Sequence, residues 1–262
     1  MKLGIFYNEK QTDSGNANRL AEVIRKKGGE AFVFSCISDI GGIDRLLVLG
    51  GDGTVLRAAK RASEMNIPLV AVNYGTLGFL AEFERGEEEK AVRLAMSDCP
   101  VAERSMLEVD LDGNTSYCLN ELSLLRPVNN ERPSGVVGIS VEIDGSKAAD
   151  FSADGLIVAT PTGSTAYSLS AGGCIMTPDS QTFILTPVCA FSLKSRPIVF
   201  PDSCALTVTV ANETLMLYGD GDYLGQISGG RRIHIKKAER VARLLTADPN
   251  GYFRRLTEKI NH

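Results

Sequence analysis

The sequence predicts an α/β protein with an amino-terminal domain built on a parallel sheet and a β-rich carboxy-terminal domain. Up to about residue 100, short apolar runs alternate with segments in which apolar residues recur at helical spacing. This pattern is typical of a parallel sheet with helices on its faces. Beyond residue 100, short strand-like runs follow one another with turn residues between them. The second pattern indicates a sandwich or a pair of packed sheets.

The amino-terminal domain, predicted to span residues 1–100, begins with a buried strand and continues as strand and helix pairs. Residues 16–27 are predicted to be helical because alanine, leucine and isoleucine recur there on one helical face. Gly28 and Gly29 end that segment. The predicted strands are 3–7, 31–35, 45–49 and 68–72, and the predicted helices are 16–27, 54–65 and 87–96.

The β-rich domain is predicted to span residues 101–246, and a final helix lies within residues 247–262. Phe253, Leu256 and Ile260 share one face of that helix. A short terminal helix is unstable alone, so we expect it to pack back on the first domain. The predicted strands of the β-rich domain are 107–111, 115–118, 136–143, 156–159, 183–186, 206–210 and 232–235.

Composition excludes several classes of protein. With 44% hydrophobic and 23% charged residues and a formal charge of -4, the chain lacks the strong positive charge of proteins that bind nucleic acid or anionic membranes. No apolar run reaches the roughly 18 residues of a membrane span, and the first run is too short for a signal peptide. No two of the six cysteines form a CxxC pair, which argues against a zinc ribbon or a disulfide framework. We therefore expect a cytoplasmic protein with reduced thiols.

The strongest local signal is the Gly-rich turn, residues 50–54, with the sequence Gly-Gly-Asp-Gly-Thr. Thr54 stands where the following helix would have its N-cap. Glycines let the backbone approach a ligand, and a helix N-terminus favours phosphate oxygens. The turn follows a parallel strand, and open α/β sheets bind ligands at the carboxyl ends of such strands. The alternative is a plain tight turn with a solvated Asp52. Neither of the two common phosphate-loop spacings is present.

A second polar segment, residues 154–173, joins a buried strand to a turn rich in Thr, Pro, Gly and Ser. Its hydroxyl and N–H groups can donate to a ligand, and Tyr167 can stack or hydrogen-bond. The alternative is the capped start of a helix. Asn120 and Glu121 offer an amide suited to a base edge and a carboxylate suited to a ribose diol. By themselves these two residues are a weak signal.

Histidine chemistry is nearly excluded, because the chain has only two histidines. His234 lies in an alternating strand pattern and His262 is the last residue. A general base should therefore be a carboxylate, which points to Asp52. The triplet 220–222, Asp-Gly-Asp, lacks the spacing of a calcium-binding loop. We expect a plain turn there that could still contribute a carboxylate to a site between subunits.

Taken together, these residues resemble the NAD kinase family. The Gly-rich turn alone is shared with diacylglycerol and sphingosine kinases and, in similar form, with phosphofructokinases, whereas the 154–173 segment is far more specific. The matching pieces keep the family's order from about residue 45 to residue 225. They are the Gly-rich turn, the segment 72–80 (Val-Asn-Tyr-Gly-Thr-Leu-Gly-Phe-Leu), Asn120-Glu121, the segment 154–173 and the segment 195–199 (Ser-Arg-Pro-Ile-Val).

The resemblance implies transfer of the γ-phosphoryl group of ATP to the 2′-hydroxyl of the adenosine ribose of NAD, giving NADP and ADP. It also implies the two-domain fold, Mg²⁺ brought with ATP, and a homo-oligomer, either a dimer or a tetramer. By position, Asp52 would accept the proton, with Gly53 beside it on the substrate. Asn120 would read adenine, Glu121 would hold a ribose and Asp154 would meet the nicotinamide end. The remaining implied contacts are Arg57 toward phosphates, Thr165, Ala166, Tyr167, Ser168, Leu169 and Ser170 along the dinucleotide, and Asp222 toward a neighbouring subunit's ligand.

Two positions depart from the family's pattern. Cys189-Ala190-Phe191 occupies a stretch where many bacterial members carry Pro-His, and Ser152 replaces a basic residue. We expect these changes to alter affinity or feedback by NADP(H) without touching the reacting centre. The sequence leaves open whether polyphosphate replaces ATP and whether NADH is phosphorylated.

Two alternative functions stay open on the sequence. A lipid kinase of the diacylglycerol type shares the Gly-rich turn, but it would need a membrane-facing patch, which the acidic charge balance and the lack of a basic amphipathic helix disfavour. A non-catalytic NAD-sensing module would keep Asn120, Asp154 and Tyr167 but would not require Asp52. Formation of NADP from NAD, ATP and Mg²⁺ separates the three functions.

Overall fold

The computed structural model describes residues 1–76, 78–127, 136–211, 213–249 and 251–260, which form two compact units. Unit 1 contains Met1–Arg104 and Arg240–His262, and unit 2 contains Ser105–Glu239. Leu77 of the 72–80 segment, the side chain of Ile260, and His262 lie outside the described residues. No helix in the described ranges is long and apolar enough to cross a membrane.

The helices and strands are numbered along the chain. The helices are α1 (Ser14–Lys26), α2 (Asp52–Glu64), α3 (Glu88–Ala95), α4 (Tyr167–Ser170) and α5 (Tyr252–Ile260), and 3-10 turns cover Ile37–Asp39 and Thr162–Thr165. The first nine strands are β1 (Lys2–Tyr7), β2 (Glu30–Phe34), β3 (Arg45–Gly50), β4 (Leu69–Asn73), β5 (Phe83–Glu84), β6 (Val101–Arg104), β7 (Leu107–Leu111), β8 (Asn114–Cys118) and β9 (Glu121–Leu125). The others are β10 (Val137–Ile143), β11 (Ser146–Ala153), β12 (Gly155–Ala159), β13 (Thr182–Val188), β14 (Ile198–Pro201), β15 (Leu206–Val210), β16 (Thr214–Gly219), β17 (Asp222–Ser228), β18 (Arg232–Lys237) and β19 (Ala242–Leu245).

Unit 1 is a seven-stranded sheet in the order β2-β1-β3-β4-β19-β6, with β5 also paired to β4. All pairs are parallel except β19 with β6. The central strands are continuous apolar runs because both of their faces are covered. Ile5, Leu47 and Val72 pack with α1 and α3 on one face, whereas α2 packs against β3, β4 and β19 through Val55 and Ala59. The predicted α/β domain with a parallel sheet is confirmed.

Unit 2 consists of two six-stranded antiparallel sheets. The first sheet has the order β11-β10-β15-β18-β7-β8 and the second sheet has the order β14-β13-β12-β9-β16-β17. Side chains from both sheets, among them Val109 and Val208 of the first and Leu124 and Phe183 of the second, form one buried core. Because alternate residues of each strand enter this core, unit 2 is a β-sandwich. The predicted β-rich domain is confirmed.

The structure differs from the predicted element limits in instructive places. β6 and β19 belong to unit 1, where they pair with each other, so the observed limits of unit 2 are 105 and 239 instead of 101 and 246. β9 was not predicted because only Leu119 and Asn120 separate it from β8, which leaves no turn signal. β11 was missed because most of its side chains are exposed and break the apolar alternation.

The terminal helix α5 lies against unit 1 through polar side chains. Arg255 Nη1 is 3.7 Å from Glu82 Oε2, and Lys259 Nζ is 5.6 Å from the centre of the Phe79 ring. Phe253, which the sequence placed on the docking face, is 65% exposed. The predicted apolar docking face is therefore wrong at Phe253, because charged side chains on another side of α5 make the contacts.

Candidate active site

The Gly-rich turn joins the carboxyl end of β3 to α2. Gly51 is the N-cap and α2 begins at Asp52, so the prediction of an N-cap at Thr54 was wrong. The N-cap lies three residues earlier than predicted because the extended backbone of Gly51 lets its carbonyl accept from the N–H of Thr54 at 2.8 Å. Thr54 is buried in the first turn, where its Oγ1 accepts from Asn8 Nδ2 at 2.9 Å. Among the described residues no side chain caps α2, which leaves its N-terminus open to an anion.

Asp52 is held by the backbone of the 72–80 segment. Its Oδ2 accepts from the Phe79 N–H at 2.9 Å, and its Oδ1 accepts from the Leu80 N–H at 3.1 Å. Each oxygen of a carboxylate has a further lone pair beyond the one that these bonds use. The half-buried carboxylate is thus oriented by the protein and can still accept a proton.

The 72–80 segment is fixed from its start by the buried side chain of Asn73. Asn73 Oδ1 accepts from the Gly75 N–H at 2.9 Å, and its Nδ2 donates to Glu84 Oε2 at 2.9 Å. A Cβ on Gly78 would lie 2.6 Å from Asn73 Cγ, so only glycine lets the segment pass at this point. This packing places the N–H groups of the segment where they meet Asp52.

Tyr74 anchors the same segment to the helices. Its hydroxyl donates to Glu88 Oε1 and accepts from Asn16 Nδ2 at 2.7 Å. Burial and the neighbouring Glu88 raise the pKa of Tyr74 to about 12. The phenol therefore stays protonated at all physiological pH values, and its role is structural.

Arg57 lies one helical turn after the Gly-rich turn and is exposed. Its Nε donates to the Gly53 carbonyl at 3.3 Å. Because the carbonyl occupies only part of the guanidinium, the other N–H groups can reach an anion at the start of α2. Asp52, Gly53 and Arg57 thus lie together in unit 1.

In unit 2, the backbone around Asn120 and Glu121 is held by Asp220. The Asp220 carboxylate accepts from the N–H groups of Leu119 and Asn120, each at 2.7 Å, and of Glu121 at 3.2 Å. Asp220 and Gly221 have positive φ angles of 50° and 85° in the tight turn between β16 and β17. The predicted turn is present at residues 220–221, and Asp222 begins β17. The role of Asp220 was missed because its partners are about one hundred residues away.

The side chains of Asn120 and Glu121 are buried with unsatisfied oxygens. Each residue is 8% exposed, and in the described ranges Asn120 Oδ1 and Glu121 Oε2 have no hydrogen-bond partner. Burial first, and then the nearby Asp220 charge, raise the pKa of Glu121 to about 7, against the opposing effect of the Tyr167 N–H. Unpaired buried oxygens are costly, so this pair of atoms indicates a site for a ligand with hydrogen-bond donors.

The 160–173 segment passes directly beside Asn120. A Cβ on Gly163 would be 2.1 Å from the Asn120 carbonyl oxygen, so the two backbones touch. Tyr167 is 38% exposed and can meet a ligand. Ser168, in contrast, is fully buried and shares a 2.9 Å hydrogen bond with Thr186 Oγ1, so its hydroxyl faces the interior. The other predicted contacts of this segment are the half-buried Thr165, Ala166 and Leu169 and the exposed Ser170.

Asp154 lies at the end of the second sheet that is opposite to Asn120 and Glu121. β12 pairs with β9 so that Ala159 faces Glu121 and Gly155 faces Leu125. Asp154 is therefore about 20 Å along the strand from Thr160, at about 3.3 Å per residue. Its Oδ1 is 3.1 Å from Nη1 of Arg126, a partner that the sequence did not indicate.

Unit 2 thus brings together most, but not all, of its predicted site residues. Asp222, the first residue of β17, is exposed beside the 220–221 turn and faces the end that holds Asn120. Within one chain, the structure does not bring Asp154 to that end. The two positions that depart from the family pattern contact each other: the Phe191 N–H donates to the Ser152 carbonyl at 2.8 Å.

Comparisons with known proteins agree with these features. Residues 6–98 match the family model of the ATP-NAD kinase N-terminal domain, and residues 119–247 match that of the ATP-NAD kinase C-terminal domain. The NAD kinase of Koribacter versatilis (strain Ellin345) is 40% identical over 219 residues, which cover 82% of this chain and 76% of that protein.

Solved structures also share the fold. An NAD kinase from Archaeoglobus fulgidus, solved in complex with ATP, has a TM-score of 0.83 and 25% identity, and the match covers 100% of this chain and 99% of that one. Yeast NADH kinase complexed with NADH has a TM-score of 0.84 and 24% identity, covering 100% of this chain and 87% of that one. The second likeness concerns the fold alone.

Proposed function

The chain belongs to the NAD kinase family, and from that premise we propose how its residues transfer the γ-phosphoryl group of ATP to NAD. The reaction gives NADP and ADP, with the 2′-hydroxyl of the adenosine ribose as acceptor. The observation that carries the mechanism is the orientation of Asp52 by the N–H groups of Phe79 and Leu80. The chain is accordingly a phosphotransferase with an alcohol group as acceptor.

Asp52 accepts the proton of the attacking hydroxyl. As the 2′-oxygen bonds to phosphorus and the bond to ADP breaks, that hydroxyl becomes acidic, and a carboxylate becomes a useful base late in the reaction. Because two backbone N–H groups fix the carboxylate, little reorganisation is needed at that moment. Gly53 leaves space beside the carboxylate, and Arg57 offers N–H groups to phosphate oxygens.

Unit 2 binds the acceptor through the buried oxygens of Asn120 and Glu121. Asn120 Oδ1 can accept from the exocyclic amine of adenine, and Glu121 Oε2 can accept from a ribose hydroxyl. Each contact would satisfy an oxygen that has no partner in the described ranges. Tyr167 adds an exposed ring that can stack on the dinucleotide.

We propose Mg²⁺ as the cofactor, carried on the phosphates of ATP. In the described part of the chain, no group of three or more His, Cys, Asp or Glu side chains is arranged to hold a metal ion. Mg²⁺ that arrives on phosphates keeps several waters and needs only one or two carboxylates, which the oriented Asp52 fits. When bound, the ion would neutralise phosphate charge. We also propose a cytoplasmic location, which the six free cysteines support.

The test of the mechanism is Asp52→Asn, with Asp98→Asn at an exposed position as the control. Loss of the basic oxygen should lower turnover by at least about a hundredfold while NAD affinity persists. Because the new amide points an N–H group at a backbone N–H, the melting temperature must be measured alongside. Near-normal turnover would remove Asp52 from the role of base. Restoration by higher Mg²⁺ or by Mn²⁺ would make its role metal positioning.

A further inference from the structure

Glu121 lies beside a negative charge that the fold cannot move. The Asp220 carboxylate accepts from the backbone N–H groups of residues 119, 120 and 121 at 2.7 to 3.2 Å. Hydrogen bonds from N–H groups favour the ionised form of a carboxylate. The same three bonds fix Asp220 in the tight turn between β16 and β17, so it cannot turn away from Glu121. Any charge on Glu121 is therefore opposed by a second carboxylate.

The elements around Glu121 supply no cation against this repulsion. β9 pairs with β12 and β16, and β8, β17, α4 and the 3-10 turn Thr162–Thr165 lie next to these strands. These elements, all within the described ranges, contain no Lys, Arg or His. Across the core, β7 turns Leu107 and Val109 inward and its carboxylates away. Besides Glu121, the ionisable side chains on the surrounding elements are Asp222, Tyr117, Cys118, Tyr167, Tyr218 and Tyr223.

Burial removes the help that water could give. Glu121 is 8% exposed, and within the described part of the chain its Oε2 has no hydrogen-bond partner. Phenols and thiols ordinarily lose their protons above about pH 8, so carboxyl groups are what titrates here below that pH. Burial first, and then Asp220, raise the pKa of Glu121 to about 7, although the Tyr167 N–H acts in the opposite direction. At pH 7 about half of the empty sites thus hold a proton on Glu121.

A bound dinucleotide would reverse this preference. A ribose hydroxyl that donates to Glu121 Oε2 stabilises the ionised carboxylate. The ionised form also offers more acceptor positions than the protonated form, which spends one oxygen on its own O–H group. The ligand therefore binds better to the form of Glu121 that the empty site disfavours, and linkage makes the two equilibria depend on each other.

We propose that binding of NAD in unit 2 expels the proton of Glu121 into the solvent, so that the affinity for NAD falls as the medium becomes more acidic. The inference rests on the proposed function, from which it takes the ribose hydroxyl that meets Glu121. With one proton released per NAD and a midpoint near pH 7 in the empty site, affinity should fall by about tenfold between pH 8 and pH 6. Acceptor binding, and not only the chemical step, then responds to acidification.

Calorimetric titration of the unmodified protein with NAD, in the absence of ATP, counts the protons. The observed binding enthalpy depends on the ionisation enthalpy of the buffer, with a slope equal to the number of protons exchanged, and PIPES and Tris differ strongly in that enthalpy. We expect release of about half a proton per NAD at pH 7 and about a tenth at pH 8. Equal enthalpies in the two buffers at pH 7 would overturn the inference. Proton uptake would also overturn it, since the negative charge of the ligand would then dominate.

The choice of ligand and of variant assigns the proton to Glu121. NADP is unsuitable because a phosphate monoester itself titrates near pH 6. Glu121→Gln keeps the size of the side chain without its ionisable group, so it should exchange no proton at pH 7 and bind NAD equally from pH 6 to pH 8. Glu239→Gln, at an exposed position of unit 2, is the control and should release protons like the unmodified protein. Proton release that persists in Glu121→Gln would place it on another group.

Carbon-13 NMR of protein labelled at its glutamate carboxyl carbons reads Glu121 even where the variant binds NAD weakly. The resonance missing from the spectrum of Glu121→Gln belongs to Glu121. Its titration midpoint should lie near pH 7 without NAD and at least about one pH unit lower with NAD. An unmoved midpoint with NADP still formed from NAD, ATP and Mg²⁺ would refute the proton release alone. Absence of NADP formation by the unmodified protein would instead refute the proposed function.

Discussion

Glu121 lies in an environment that strongly opposes its charge. It is buried, it lies near the Asp220 carboxylate, and its pKa is raised from 4.5 to about 7. Asp220 cannot be removed to relieve this repulsion, because it holds the backbone of residues 119–121 through three hydrogen bonds. The charge of Glu121, which we propose for ligand binding, thus lowers the stability of the free protein at neutral pH.

This loss of stability predicts that Glu121→Gln changes the free energy of unfolding in a pH-dependent way. The folded protein holds the proton of Glu121 up to about pH 7, whereas the unfolded chain loses it near 4.5. Stability therefore falls as pH rises between these values, by on the order of 3 kcal/mol at most. Glu121→Gln should gain stability over the unmodified protein at pH 8 and gain almost none near pH 4.5.

Urea unfolding at the two pH values measures this difference, with Glu213→Gln at an exposed position as the control. An equal effect of Glu121→Gln at pH 8 and at pH 4.5 would show that the charge of Glu121 carries no such cost.

At the level of elements, α5 contacts the 72–80 segment, which orients Asp52. Glu82 accepts from Thr246 Oγ1 at 3.2 Å and from the Ala247 N–H at 2.9 Å, which fixes the chain that leads into α5. Lys259 then lies over the Phe79 ring, and the Phe79 N–H binds Asp52. Burial lowers the pKa of Lys259, while the charges of Asp52 and Glu84 act in the opposite direction.

We expect Lys259→Met to impair the chemical step more than binding. Lys259 lies over the Phe79 ring, and the Phe79 N–H holds the Asp52 carboxylate in place, so Lys259→Met should lower kcat while the KM for NAD stays unchanged. Lys259→Arg should restore kcat, and Arg254→Met on the exposed side of α5 should leave it unchanged. Steady-state kinetics at one pH, with melting curves alongside, provide the measurement. A fall in stability with an unchanged kcat would reduce Lys259 to a structural role.

The sequence predicted the main helices and strands better than the contacts that hold the candidate site. β1, β3, β4 and α2 followed from local apolar patterns, because their burial is set by residues next to one another in the chain. The Gly-rich turn was also found locally, because its glycines and Asp52 are consecutive in the sequence. Asp220 and Arg126 were missed, since their partners lie 99 to 101 and 28 residues away and leave no local signature.

At the level of the whole molecule, unit 2 shows features that favour the homo-oligomer expected from the sequence resemblance. Asp154 is about 20 Å along β12 from Thr160, so one dinucleotide would have to follow the entire strand to meet both ends within a chain. Phe191 and Leu193 in unit 2 are 80% and 88% exposed. Large exposed apolar side chains close together mark interaction surfaces.

We therefore expect Phe191→Asp combined with Leu193→Asp to dissociate the oligomer. Light scattering coupled to size-exclusion chromatography should give a dimer or tetramer for the unmodified protein at micromolar concentration and a smaller species for the double variant. Phe253→Asp, at a 65% exposed position of α5, is the control. An unmodified protein that is monomeric and fully active would refute a shared site.

The pairing of β6 with β19 also determines the order in which the chain can fold during synthesis. Arg104 lies opposite Ala242, and all of unit 2 is made between these two residues. At about 5 to 20 residues per second, the ribosome needs roughly seven to thirty seconds to cover that interval. During that time β4 lacks β19, and an unpaired strand edge invites wrong partners. Unit 2 is contiguous and can fold first, whereas unit 1 stays incomplete until the last part of the chain emerges.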